Sequence, residues 1–156
     1  MPAARFFAPM AVTYTEIVPQ EVSPQVDLTI VTICRNALPE LRQTLESVLY
    51  HKGRHPHLHM EHVVVDGAST DGTAAWLAEQ AEAGRIERYV SEPDAGIYDA
   101  MNKGVNMARG AVIAFLNAGD TYLPDADLTS CVRPVAEGKA QAVAAYATDG
   151  HKTIAP

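Results

Sequence analysis

The sequence predicts an α/β fold, a mostly parallel sheet with helices packed on both of its faces. Three observations predict it. Short β-branched runs such as LTIVTI and HVVVD carry apolar residues at consecutive positions, the pattern of strands buried on both faces. Segments with apolar residues at helical spacing separate these runs, and such alternation implies right-handed crossovers between parallel neighbours. Polar residues follow each run at once, where ligands of such sheets bind.

The elements follow in order. Segment 1–26 has Arg5 as its positive flank, and Pro9, Thr13 and Glu16 interrupt any secretory core, so it reads as a flexible leader. The predicted domain spans 27–146. LTIVTI is its first strand, and CRNALP breaks it. Pro39 suits a first helical turn, and Leu38, Leu41, Leu45, Val48 and Leu49 form one apolar stripe to about Tyr50. A polar, His-rich loop leads to the second strand, HVVVD. STDGTAAWLAEQAEAG reads as a helix capped by Ser69 or Thr70, with Gly84 past its end. RIERYVSE is a third strand, IYDAMNKGVNMARG a third helix and AVIAFL a fourth strand. DADLTSCVRPVAEG is a helix that Pro134 shortens or kinks, AVAAY a last strand, and 147–156 a tail.

Composition excludes several classes of function. The chain has 156 residues, 47% hydrophobic and 20% charged, one ordinary globular domain that needs no disulfide or structural metal to fold. Its two cysteines, Cys34 in a strand and Cys131 in a helix, form no CxxC and read as reduced thiols of a cytoplasmic protein. Twelve Lys and Arg against 19 Asp and Glu give a formal charge of −7, which lacks the basic footprint of a nucleic-acid binder. No apolar run approaches the roughly 18 residues of a membrane span.

The chemistry lies at the carboxyl ends of the strands. Arg35 and Asn36 follow the first, Asp66 ends the second, Asp94 follows the third, and Asn117 with Asp120 follows the fourth. A dinucleotide site would need GxGxxG after the first strand, and a P-loop its lysine motif; neither is present. FLNAGD can instead hold a divalent cation through oxygen ligands, which neutralises a diphosphate, or it is simply a turn. Asp66 is either a turn residue or an acceptor for a base edge or ribose. Asp71 favours the start of the second helix electrostatically and stays outside the site. Asp99 and Lys103, four apart, form a surface ion pair of little energetic worth. Ala100, Gly104 and Ala108 let one helix face lie close to its neighbour. His51, His55, His57, His59 and His62 lack the helical geometry of HExxH and read as a solvated loop.

Taken together, LTIVTICRN, VVVDGASTDGT, SEPDAGIYDAMNKG and AVIAFLNAGD resemble, in order and spacing, the family 2 glycosyltransferases of GT-A fold. They look most like the branch that builds colanic-acid-type and capsular polysaccharides. The resemblance covers 27–120 and extends towards Tyr146. It implies a donor-binding half with a Rossmann-like sheet, a nucleotide-diphosphate sugar, a divalent cation (Mn or Mg), and transfer to a hydroxyl with inversion. The acceptor it implies is a saccharide or a lipid-linked saccharide, the latter bringing a cytoplasmic protein to the inner membrane face. Position by position, Thr32 and Asn36 match residues bordering the nucleoside, and Asp66 matches the aspartate that contacts the base. Asp94 matches a donor-pocket position, Asp120 the metal ligand, and Asn117 the first acidic position of that block.

The chain departs from the family at three places. Asn117 and Gly119 stand where many members carry carboxylates, and Met101 where many carry an arginine. No acceptor-binding half with a general base follows, so the catalytic residue is unassigned. The reading is therefore a glycosyltransferase, truncated or completed by a second copy or another chain. The alternative is a non-catalytic nucleotide-sugar-binding or scaffold module. A phosphohydrolase using Asp120 is disfavoured because TICRN lacks the DxDx[TV] of aspartate-nucleophile enzymes.

Overall fold

The computed structural model describes residues 26–139, 147–148 and 153–154. In chain order the elements are β1 (Leu28–Cys34), α1 (Leu38–Arg54), β2 (Met60–Asp66), α2 (Thr73–Glu82), β3 (Arg88–Ser91), α3 (Ile97–Met107), β4 (Val112–Phe115) and α4 (Leu128–Ala136). A short antiparallel pair, β5 (Ala147–Thr148) with β6 (Thr153–Ile154), follows in the segment read as a tail. The leader to residue 25 and the expected AVAAY strand lie outside the described residues.

The four main strands are all parallel, in the order β3-β2-β1-β4. Successive residues of β1 face opposite sides. Ile30 and Cys34 look towards α1 and α2, where Leu41, Leu45, Val48 and Leu77 are fully buried, and Leu128 and Val132 of α4 extend that core. Val31 faces α3 on the other side. Burying these apolar side chains contributes about 1.5–3 kcal/mol each.

Gly104 explains how closely α3 packs on the sheet. A Cβ there would lie 2.3 Å from Val31 Cγ1, so only glycine admits that approach. The small-residue pattern of this helix is met at Ala100 and Gly104, both buried. Ala108 is already extended, so the helix stops before the predicted Arg109 and Gly110.

Two expectations need correction. The second helix begins at Thr73, not at Ser69 or Thr70. Those residues serve the preceding loop, and Asp71 takes over the start by accepting the Thr73 N–H at 3.1 Å. Its other oxygen accepts the Leu38 N–H at 3.0 Å, so one carboxylate caps two helix starts, and the Thr73 hydroxyl bond holds its pKa below the ordinary value.

The histidines are not all in a solvated loop. His51 lies inside α1 and His62 inside β2, both fully buried, and His57 and His59 are exposed. The Thr32 hydroxyl donates to the Leu116 carbonyl at 2.7 Å, so His62 Nε2, 2.8 Å away, donates to Thr32. His62 Nδ1 is then an unprotonated, buried atom without a partner among the described residues. Burial, reinforced by Lys52, lowers this histidine's pKa to about 3. Burial lowers His51 as well, and its Nε2 meets the Leu123 carbonyl at 3.0 Å.

The amino ends of the strands are tied by acids. Buried Glu61 accepts the Thr29 hydroxyl at 2.6 Å, the Arg88 guanidinium at 2.7 Å and the Arg109 N–H at 2.5 Å. Burial opposes its ionisation, but these donors outweigh burial and hold its pKa below the ordinary value. Glu87 pairs with Lys52 at 2.6 Å and accepts the His62 N–H.

Candidate functional site

The chain runs from β1 to β2 to β3 in one direction and returns to place β4 on the far side of β1. The carboxyl ends of β1 and β4 therefore diverge into opposite connections, which leaves a crevice of the kind ligands occupy in parallel sheets. A cavity of about 410 Å³ opens there. Ile33, Cys34 and Arg35 line it from the end of β1, Asn117 and Ala118 from the end of β4, and Asp94, Gly96, Ile97 and Ala100 from the start of α3. A larger hollow of about 570 Å³ lies at the opposite, amino edge. Its charges largely pair with one another, Lys52 with Glu87 and Arg88 with Glu61, and no predicted site residue lines it.

Of the predicted residues, Asp94 and Asn117 line the cavity. Asp94 Oδ1 accepts the Gly96 N–H at 2.9 Å, which fixes the carboxyl group at the mouth of α3. Among the described residues, none donates a hydrogen bond to the buried Asn117 Oδ1, an unsatisfied acceptor on the loop after β4. Its backbone carbonyl accepts the Asp120 N–H at 2.9 Å and closes the NAGD turn. Thr44 of α1 pins that turn, with its hydroxyl 2.9 Å from the Asp120 carbonyl and accepting the Gly119 N–H at 3.0 Å. Gly119 has a φ of +97°, which the turn requires of it. Asp120 itself is exposed at the end of this turn and is not part of the cavity wall.

The other three predicted residues hold the architecture. Thr32, expected beside a nucleoside, is fully buried on the α1 side of the sheet, where His62 and Leu116 engage its hydroxyl. Asn36 adopts a φ of +50° and joins two loops: its N–H donates to Ser69 Oγ at 2.7 Å and its Oδ1 accepts the Thr70 N–H at 2.8 Å. Asp66 is 0% exposed; its carboxylate accepts the Ser69 N–H and hydroxyl, and the Ser91 hydroxyl at 2.6 Å. The Cys34 thiol sits 3.8 Å from Asp66, and burial followed by that carboxylate pushes its pKa up to about 12. Cys34 is thus a poor nucleophile.

Sequence reasoning placed Arg35 on the rim without giving it a role, and passed over Gly67. Among the described residues, Arg35 is the one cation and Asp94 the one acid of the cavity wall. A Cβ at Gly67 would lie 2.5 Å from Asp94 Oδ2 and 3.4 Å from Arg35 Cδ, so glycine makes room for both. The signal was the Asp-Gly pair at the end of a buried strand, which also reads as an ordinary turn. The surface pair of Asp99 and Lys103 is present at 3.5 Å, but Lys103 lies closer to Glu92, at 2.9 Å.

The donor set bears on a divalent cation. Among the described residues no three His, Cys, Asp or Glu gather around one point. Asp120 offers one carboxylate and Asn117 one unsatisfied amide oxygen on the same loop. Six-coordinate Mg or Mn needs more oxygens than these. These two oxygens are too few to cage such a cation by the protein alone.

Comparison with known proteins bears on the family and the fold. An uncharacterized glycosyltransferase of Mycobacterium tuberculosis is 38% identical over 97 residues, 61% of this chain and 34% of its own length. The succinoglycan biosynthesis protein ExoO of Rhizobium meliloti is 32% identical over 107 residues, 69% of this chain and 29% of its own. The chain thus spans about a third of the length of the curated relatives it matches. Among solved structures, the mannosyltransferase PcManGT of Pyrobaculum calidifontis, in complex with GDP-Man and Mn2+, superposes with a TM-score of 0.54. It is 26% identical and covers 61% of this chain and 28% of its own. TarS of S. aureus, in complex with UDP-GlcNAc, has a TM-score of 0.55 at 17% identity over 71% of this chain and 31% of its own, which supports the GT-A fold alone. The family described as Glycosyl transferase family 2 matches residues 29–153, and with the parallel sheet and its crevice this makes the chain a member of glycosyltransferase family 2.

Proposed function

We propose that this chain binds a nucleotide-diphosphate sugar and serves a glycosyltransferase that passes the sugar, with inversion, to a hydroxyl acceptor in the building of a surface polysaccharide. The cavity at the diverging ends of β1 and β4, where Arg35, Asp94 and Asn117 meet, carries this reading. Relatives named for succinoglycan biosynthesis and for PGL/p-HBAD biosynthesis support a saccharide or lipid-linked acceptor. The assignment to the colanic-acid and capsule branch rests on the sequence blocks.

Asp94 accepts hydrogen bonds from the donor, and Arg35 faces its anionic or carbonyl oxygens. Asp120, with Asn117 beside it, holds the divalent cation, which when bound neutralises charge building on the departing diphosphate. Inversion requires the acceptor oxygen to bond to the anomeric carbon as the bond to the diphosphate breaks, with its proton passing to a base. None of the described residues is assigned that base.

The test is thermal denaturation with a panel of UDP- and GDP-sugars plus Mn or Mg. A rise in Tm with one donor, reduced by Asp120→Ala, supports the reading; no rise with any donor overturns it. A binding module without turnover is the second reading, favoured because Asp94, the one acid of the cavity wall, is tied to Gly96. Donor hydrolysis or transfer that is lost in Asp120→Ala would exclude it.

A further inference from the structure

We infer that the hollow at the amino ends of the strands is a docking groove for this chain's own leader, with Glu21 pairing with Arg88 and Arg109 and Val22 packing on Leu58 and Met60. The hollow of about 570 Å³ touches all four strand starts: Met60 opens β2, Arg88 opens β3, Arg109 precedes β4, and Val26 leads into β1. It lies at the end of the sheet opposite the donor crevice, so its role is separate from the proposed transfer.

The wall of the hollow has cationic donors left over. Both of its acids are already engaged. Glu61 accepts from Thr29, Arg88 and the Arg109 N–H, and Glu87 accepts from Lys52 and the His62 N–H. Among the described residues, Arg88 Nε is buried with no acceptor, and no ion pair or hydrogen bond engages the exposed Arg109 guanidinium. An orphaned buried N–H is unfavourable until an acceptor reaches it, and a carboxylate is the acceptor that best matches the guanidinium fork. Lys52, Arg88 and Arg109 against Glu61 and Glu87 make the wall positive on a chain of net charge −7. Leu58 and Met60, half-buried and packed on the core, give it an apolar part.

The occupant follows from where the leader joins the fold. Val26 lines the hollow itself, and its carbonyl accepts the Ala111 N–H at 3.0 Å. Asp27 beside it is held twice by one loop: its N–H donates to the His59 carbonyl at 2.9 Å, and its carboxylate accepts the His59 N–H at 2.8 Å. Residues 1–25 therefore meet the fold at a fixed point on the lip. Glu21 stands five residues before Val26, a reach of about 17 Å when extended. β3 is two places from β1, about 10 Å away at strand spacing, so Arg88 is within that reach. The stretch EIVPQEVSPQ carries Glu16 and Glu21, three aliphatic residues and no cation, and Pro19 and Pro24 bias Val18 and Ser23 towards extended backbone. Successive side chains of an extended segment take opposite sides, which sends Val22 to the apolar part and Glu21 to the arginines. Tethering raises the local concentration of this segment to roughly millimolar, an advantage that a second copy or a free anion lacks.

The test uses the full chain and 15N NMR of its backbone amides and arginine Nε–H groups. In Glu21→Gln the Arg88 and Arg109 Nε–H signals and the Leu58 and Met60 amides should shift, and the protection of the Arg88 Nε–H from exchange should be lost. Glu16→Gln, with the same change of charge, should leave all four signals where they are. Signals unmoved in Glu21→Gln, or moved equally by Glu16→Gln, overturn the proposal. Wild-type signals that move to the Glu21→Gln positions on dilution place the contact between two copies and overturn it as well.

Discussion

Acidification from pH 7 to pH 5 should destabilise this protein mainly through a histidine in the middle of its sheet. His62 has an ordinary value of 6.5 when unfolded and about 3 when folded. Below pH 6.5 the unfolded chain binds a proton that the folded chain refuses, so stability falls as pH drops through the window from 6.5 to 3. Each pH unit inside that window costs about 1.4 kcal/mol, so the step to pH 5 removes about 2 kcal/mol. His51, lowered by burial too, adds to the loss with the same sign. Glu61 acts later. Its folded pKa lies below the usual 4.5, so its contribution is present above that value and is lost only in more acidic solution. Urea unfolding at pH 7 and pH 5 measures the effect. In His62→Gln the amide can still donate to Thr32 but does not titrate, so the pH 5 penalty should shrink by about 2 kcal/mol. An equal penalty in variant and wild type would refute the assignment of a neutral, Nε2-protonated His62.

Three other outcomes are expected. Gly104→Ala should cost about 1–3 kcal/mol in unfolding free energy, because its Cβ would meet Val31 at 2.3 Å and α3 must lift from the sheet. Glu61→Gln should cost about 2–3 kcal/mol by urea unfolding, less than a fully buried pair because Arg88 keeps 26% side-chain exposure. Manganese titrated by electron paramagnetic resonance should bind when a nucleoside diphosphate is present and not without it, and Asp120→Asn should abolish the bound signal, since Asp120 is the one carboxylate of the NAGD turn.

The parallel character of the sheet was legible because consecutive β-branched residues encode burial on both faces, as in Val63, Val64 and Val65, all 0% exposed. Asp71 was legible because its position before a helix start defines its role. Asp66 and Thr32 were not. Which face of a strand a polar residue takes, and which partner waits there, depends on register with another strand: Thr32 stands opposite Val64 and Cys34 opposite Asp66. His62 was misassigned for the same reason, since its partner Thr32 lies 30 residues away in sequence. The room that Gly67 leaves for Asp94 arises from the meeting of three loops, and no local pattern reports it.

The placement of β1 between β2 and β4 has a bearing on biosynthesis. The bond from Thr32 to Leu116 spans 84 residues, so the middle of the sheet is completed only when a late stretch of the nascent chain has left the ribosome. Until then β1 keeps one row of amide and carbonyl groups open, a template for wrong partners at the crowded tunnel exit. Chains ending before Val112 should therefore aggregate or be degraded, and slowing translation near that codon should prolong the exposure.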